Sequence, residues 1–216
     1  MADNKNYAVF GLGRYGRAVA TELTQSGAEV LAVDMNEAIV NEASQFLPYC
    51  KCADITDIEV LRQLGIADID TVVIAMGTNL ESSVMAIMLC KELGVRMVIA
   101  KCSSEMHKKI LEKVGADKTF FPEYESGVRL AKNIMSKGFV DLADIDSDFS
   151  LMELDVKPEW VGKSLLDLNI RKKHSANVVA ISENGKTSVD FDPSAPLKET
   201  MKLIVVANHD ALKKLK

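Results

Sequence analysis

Basic charge is what this sequence most plainly lacks. Its 26 Lys and Arg are outnumbered by 31 Asp and Glu, which leaves a net charge of −5 over 216 residues. A nucleic-acid surface carried by bulk electrostatics is excluded on that ground. Long apolar runs are missing too: none approaches the roughly 18 residues that suggest a membrane span. Met1 is followed by Ala2-Asp3-Asn4-Lys5-Asn6, which has none of the apolar core of a signal peptide. A soluble, cytoplasmic chain is expected. Cysteine and histidine are sparse. Cys50, Cys52, Cys90 and Cys102 have no disulfide spacing. Cys50 and Cys52 read as alternate residues of one strand, and no further Cys or His completes a zinc set at the usual spacing. Buried structural thiols are expected. His107, His174 and His209 are scattered among charged residues, which predicts surface positions.

What is present is an alternation. Short β-rich runs at Tyr7–Phe10, Glu29–Val33, Tyr49–Cys52, Thr71–Ala75, Val95–Ala100 and Lys118–Phe121 are separated by stretches of helical periodicity. One of these, Thr56–Leu64, opens with a capping-box signature at Thr56 and Glu59. Gly27, Gly65, Gly94 and Gly115 fall where a helix needs a left-handed terminal residue. Strand, helix, glycine, strand, repeated, predicts an α/β fold: a Rossmann-like, doubly wound parallel sheet with helices on both faces. The stretch Asn79–Leu93 is apolar around more than one stripe, so a neighbouring helix or another subunit should cover it. A helical pattern over Glu123–Leu142 is followed by the acidic "DLADIDSD" (Asp141–Asp148), read as a connector. Beyond it the periodicity changes to strands and a short helix. The organisation predicted is a nucleotide-binding unit over 1–140, a linker over 141–149, and a smaller α+β domain over 150–216.

Gly11-Leu12-Gly13-Arg14-Tyr15-Gly16 is a G-x-G-x-x-G between a predicted strand and a predicted helix, the context that gives the pattern meaning. Gly11 permits the tight turn, Gly13 lets backbone approach phosphates, and Gly16 lets helix and strand pack closely. The helix start adds exposed N–H groups and a positive dipole end. Asp34 ends the second strand, 18 residues beyond Gly16, where an acid accepts hydrogen bonds from ribose hydroxyls or else caps a helix. Met35 and Asn36 follow it, so no arginine waits for a 2′-phosphate, and NAD or an adenosine nucleotide is favoured over NADP. Asp54 lies near the expected adenine position or serves as a turn residue. Met76-Gly77 follows the fourth strand at the carboxyl edge where ligands of open parallel sheets bind. Arg14 either reaches a terminal phosphate or is solvated. No Walker lysine follows the glycines, and no His–Asp or Tyr–Lys arrangement marks the strand ends, so catalysis is not expected. A small NAD-dependent oxidoreductase is the alternative, disfavoured because the remaining residues are few for a substrate domain.

The stretches "YAVFGLGRYG", "EVLAVDMNE", "LGIADIDTVVIAMG", "MAIMLCKELGV", "KILEKVGADKTFFPEYESGVRLA" and "SLLDLNIRKKHSANVVAI" resemble, in order and spacing, the RCK (KTN) family that gates potassium channels and transporters. The resemblance implies ATP or ADP, with NAD(H) as a further ligand, held at Gly11, Gly13, Arg14, Tyr15, Gly16, Asp34, Met35, Asp54, Met76, Gly77 and Lys101. It implies a divalent cation, Mg²⁺ or Ca²⁺, at Glu125. It implies dimers assembled into an octameric ring at the inner face of the membrane, beneath an integral membrane potassium channel or transporter subunit, with no nucleic-acid partner. For the small domain it implies a cyclic di-AMP groove formed by Leu165, Ile170, Arg171, His174, Asn177 and Pro193; read from the residues alone, Arg171–His174 is a charged helix end. The closing "LKETMKLIVVANHDA" departs from the family by lacking its Gly-Asp and final Gly.

Overall fold

The computed structural model describes residues 5–77, 79–135, 139–146, 148–208 and 210–211. The chain divides into two units, Met1–Tyr124 and Glu125–Lys216.

The first unit is built on β1 (Asn6–Phe10), β2 (Glu29–Asp34), β3 (Cys50–Cys52), β4 (Thr71–Ile74), β5 (Met97–Lys101) and β6 (Lys118–Phe120). They form one sheet in the order β3-β2-β1-β4-β5-β6, and every neighbouring pair is parallel. The central strands are apolar on successive residues because both faces of a parallel sheet are covered: Ala8, Val9 and Phe10 on β1 and Val72, Val73 and Ile74 on β4 are all buried. The covering helices are α1 (Arg14–Gln25), α2 (Glu37–Ala43), α3 (Ile58–Gln63), α4 (Leu80–Glu92) and α5 (Glu105–Lys113). Gly27, Gly65, Gly94 and Gly115 all have positive φ, as expected of residues that end helices.

Several local expectations are corrected. The helix after β3 is capped by Asp57, whose side chain accepts from the Glu59 N–H. Thr56 is not its cap, because the Thr56 hydroxyl donates to Asp54 instead, at 2.7 Å. Of the cysteines, Cys90 and Cys102 are buried, but Cys50 is half-buried and Cys52 exposed, since three-residue β3 is the sheet edge. Burial pushes the Cys90 thiol up to about 12, so it is inert as a nucleophile. His107 is buried, not at the surface. It shares the inner face of α5 with Leu111, one turn on, and its Nδ1 faces the Ser103 N–H at 3.3 Å and hydroxyl at 3.0 Å. Desolvation depresses its basicity. His174 is half-buried, and His209 lies outside the described residues. Helix α4 buries Ser83, Ala86, Ile87 and Cys90 and packs beside α3 and α5, yet Leu80, Met85 and Met88 remain exposed.

Helix α6 (Pro122–Met135) ends earlier than the periodicity suggested, and Phe139–Asp144 is a strand, β7. It pairs antiparallel with β8 (Phe149–Asp155), so residues 141–144 belong to a sheet and not to a linker. The boundary between the units falls at residues 124–125 instead of 140. A short apolar run fits helix and strand periods about equally. Here the open ladder of β8 decides, with Asp146 turning the hairpin by accepting the Asp148 and Phe149 N–H groups, each at 2.8 Å. The second unit continues with α7 (Leu165–Leu168), α8 (Ile170–His174), β9 (Ala176–Glu183), β10 (Lys186–Ser188) and β11 (Met201–Asn208). Its antiparallel sheet runs β10-β9-β11-β8-β7. Met152, Leu154, Leu203 and Val205 face Trp160, Ile170 and Leu197 in one core.

Candidate functional site

The order of the first sheet reverses between β1 and β4, and that switch point is where a crevice opens at the carboxyl ends of the strands. Gly11 leaves β1 there, its N–H donating to the Val33 carbonyl at 2.8 Å, while the Ala75 N–H donates to the Phe10 carbonyl at 2.8 Å. The resulting cleft is about 820 Å³, lined by Gly11, Gly13, Arg14, Tyr15, Ala18, Asp34, Ile39, Ala75, Met76, Gly77, Lys101 and Glu123.

The three glycines of the loop do different work. Gly11 has a φ of +88°, and a Cβ there would fall 2.7 Å from the Met76 side chain. Gly16 is buried against the loop, where a Cβ would lie 1.9 Å from the Gly11 carbonyl oxygen. Gly13 is unlike both. Its φ is −60°, open to any residue, and a Cβ would meet nothing within 4 Å. Neither the backbone conformation nor the packing of the fold requires a glycine at this position. Gly13 is also the N-cap of α1 and offers no side-chain cap, so the helix presents its first N–H groups towards the cleft.

Asp34 is wedged into this loop. One carboxylate oxygen accepts the Leu12 N–H at 2.7 Å and the other the Asn36 N–H at 2.9 Å. The helix-cap reading of Asp34 is corrected: Asn36 caps α2, accepting from Ala38 and Ile39. Asp34 therefore ties the glycine loop to β2 while lining the cleft, with lone pairs remaining for a hydroxyl donor.

At the opposite wall, Lys101 extends from the end of β5 to Glu123, its Nζ 2.5 Å from the carboxylate. That hydrogen bond holds the Glu123 carboxyl below the usual range. The Lys101 ammonium also lies 5.8 Å from the Tyr15 ring centroid, over the face of the ring, in a packing contact. Tyr15 stacks on Phe120 at 4.9 Å. Arg14 is exposed at the cleft, and among the described residues it has no acidic partner.

The structure thus brings Gly11, Gly13, Arg14, Tyr15, Asp34, Met76, Gly77 and Lys101 to one cleft, with Gly16 supporting it from below. Met35 and Asp54 are not among the lining residues. Met35 is 73% exposed, and Asp54 is engaged as a turn residue by the Thr56 hydroxyl and N–H, which lower its pKa. Glu125 is exposed and also absent from the lining; the carboxylate in the cleft wall is that of Glu123, two residues earlier. Among the described residues no three His, Cys, Asp or Glu side chains gather to hold a metal. Glu123 was illegible from sequence because its partner is 22 residues away.

The second unit has a groove of about 440 Å³ lined by Leu165, Leu166, Asn169, Ile170, Arg171, Ala176, Asn177, Val178, Phe191 and Pro193. It gathers five of the six residues named for the small domain. His174 stands outside the lining, its Nδ1 buried with no hydrogen-bond partner.

A six-stranded parallel sheet, a glycine loop at the switch point and an acid ending β2 define a Rossmann-type fold with an appended α+β domain. The TrkA-N domain family matches residues 7–122 and the TrkA-C domain family residues 151–216. Ktr system potassium uptake protein C of Bacillus subtilis is 35% identical over 204 residues, covering 94% of this chain and 92% of the relative. Ktr system potassium uptake protein A of Vibrio alginolyticus is 35% identical over 209 residues, covering 97% and 95%. The RCK domain of GsuK superposes with a TM-score of 0.69 at 16% identity, over 99% of this chain and 47% of that one. The GsuK channel bound to NAD gives 0.69 at 17% identity, over 98% and 38%. This chain therefore spans less than half the length of the GsuK chains it matches. It belongs to the family of Ktr potassium uptake proteins, is KtrA-like, and carries both a TrkA-N and a TrkA-C domain. Among the described residues no helix is long and apolar enough to cross a membrane.

Proposed function

We propose that this chain is the nucleotide-sensing gating subunit of a Ktr-type potassium transporter. In this reading the cleft of the first unit takes ATP or ADP, with NAD(H) as a further ligand. The observation that carries it is Gly13: a glycine in ordinary backbone geometry with open space where a Cβ would stand, at the start of a helix without a side-chain cap. The first-turn N–H groups and Arg14 would receive phosphates, and Asp34 the ribose hydroxyls. The relatives named as potassium uptake proteins support the transport role. The exposed Leu80, Met85 and Met88 of α4 and Leu130 and Ile134 of α6 support assembly of dimers into a ring beneath the membrane subunit, since patches of this kind are commonly covered. Nucleotides that differ in charge would bias that assembly only through a difference in affinity for its states.

Potassium uptake tests the reading. Cells supplied with a Ktr membrane subunit and this chain should take up potassium faster than cells with the membrane subunit alone. The Asp34→Ala chain should lose most of that stimulation, because the Leu12 N–H is left without its acceptor and the ribose without its own. Equal uptake with and without the wild-type chain would reject the gating role.

The groove of the second unit suits a dianionic purine ligand on a two-fold axis, and cyclic di-AMP is its proposed occupant. Arg171 would pair with phosphate, Asn177 would offer an amide, and Leu165, Ile170 and Pro193 would flank the bases. Titration of the full chain should show one cyclic di-AMP per dimer. Arg171→Ala should weaken binding at least about tenfold, as expected for a charged hydrogen bond; an unchanged affinity would remove Arg171 from the groove's chemistry.

A further inference from the structure

The second unit has another cavity, of about 360 Å³, at the outer edge of its sheet. It is not the groove described above, since only Leu165 and Phe191 are common to the two linings. Its floor follows from strand register. The β9–β10 hairpin turns through Asn184 and Gly185, both at positive φ, which is what a tight two-residue hairpin turn demands. That turn sets Lys186 opposite Glu183 and Ser188 opposite Ile181. On the other side of β9, the residue paired with Glu183 is Met201 of β11. Paired residues on neighbouring strands share a face, and so do alternate residues of one strand. All five therefore lie on one face, and all five line the cavity. The facing wall is the segment 191–197. It is fixed by the Leu197 N–H donating to the Lys163 carbonyl at 2.9 Å and the Gly162 N–H donating to the Leu197 carbonyl at 2.8 Å. Buried Leu197 and half-buried Ile181 and Met201 make the interior apolar.

Three charged side chains share this lining, and they are not equally committed. Glu183 accepts from Lys198 Nζ on both oxygens, at 3.1 and 3.4 Å, and from the Thr200 hydroxyl at 3.2 Å. Asp192 uses Oδ1 for the Ser194 N–H and hydroxyl, at 2.8 and 2.6 Å, while its Oδ2 has no partner among the described residues. Lys186 has three N–H donors and, among the described residues, no acceptor for any of them. The cavity thus offers an apolar interior, one unused cation and one unused carboxylate oxygen. A ligand with a lone carboxylate would be repelled by Asp192, and a ligand with a lone amine by Lys186. A ligand that carries both charges at one end and an apolar chain at the other meets all three features. We propose that this cavity binds a free α-amino acid with an apolar side chain of leucine or methionine size. Its carboxylate accepts from Lys186, its ammonium donates to Asp192, and its side chain lies against Ile181, Leu197 and Met201. The volume is near the lower end of the range of about 300–1,000 Å³ usual for small-molecule sites, which suits so small a ligand.

The test is titration of the 216-residue chain by saturation-transfer NMR with L-leucine and three fragments of it. Isocaproate lacks the ammonium, isoamylamine lacks the carboxylate, and free glycine lacks the side chain. Leucine should saturate with a Kd of about 1 mM or tighter, and each fragment should bind at least about fivefold more weakly. Lys186→Met should weaken leucine about five- to tenfold, as expected on losing a charge-assisted hydrogen bond. Asp192→Asn retains an acceptor for Ser194; it should weaken leucine at least about threefold and leave isocaproate bound no more weakly than before. Both positions are exposed, so both variants should melt at the wild-type temperature. Three results would each overturn the proposal: no saturable binding of leucine, isocaproate or isoamylamine binding as tightly as leucine, or leucine affinity unchanged in Lys186→Met.

Discussion

Replacing Gly13 with alanine should abolish nucleotide binding and leave the thermal stability of the protein almost unchanged. The backbone at Gly13 is already in a conformation that alanine adopts freely, and the methyl group would project into open space. On the folded chain alone, alanine is a poorer N-cap than glycine, by roughly 0.5–1 kcal/mol. It also restricts the unfolded chain, which favours folding by about 0.4–1 kcal/mol. The two effects roughly cancel. Against a ligand the methyl stands where phosphate must lie close to the first-turn N–H groups of α1. Charge-assisted hydrogen bonds of that type are worth about 1.5–3 kcal/mol each. Losing even two corresponds to at least about a hundredfold in affinity. Calorimetry and a thermal melt on the same sample decide it. A variant that binds nucleotide normally would show that the glycine serves no ligand.

Gly16→Ala should do the reverse, and the contrast between two glycines three residues apart is informative. A Cβ at Gly16 would fall 1.9 Å from the Gly11 carbonyl oxygen and 2.9 Å from the Ala75 Cβ. Both neighbours belong to backbone-anchored structure between β1 and β4, so neither yields without moving α1 away from the sheet. Overpacking of this severity costs about 3 kcal/mol or more, which for a chain of this size lowers the melting temperature by roughly 6–12 °C. Nucleotide binding would weaken as a consequence of the displaced loop. A melting temperature within about 2 °C of wild type would mean that α1 and the loop adjust far more readily than their burial suggests.

The parallel sheet was legible in the sequence because its signals are local and redundant. The inner strands are short apolar runs, most of the helices are amphipathic, and four glycines end four helices with positive φ. The glycine loop and Asp34 were legible for the same reason: a motif between a strand and a helix fixes its own geometry. What escaped were features decided by distant neighbours. Phe139–Asp144 became a strand because β8 offered it a ladder. Thr56 lost the helix cap to Asp57 because Asp54 drew its hydroxyl away. His107 reads as a charged-segment residue, yet its place one turn from Leu111 puts it inside. Glu123 entered the cleft through a pairing with Lys101 across the sheet edge that no local pattern encodes. In each case the backbone period was readable and the partner was not.

The most direct measurement is isothermal titration of the purified 216-residue chain with ADP and ATP, with NADH added in competition. The expected result is saturable binding of one nucleotide per chain, displaced by NADH if that cofactor shares the cleft, and lost in the Gly13→Ala protein. Absence of saturable binding by either adenosine nucleotide in a folded, assembled sample would contradict it.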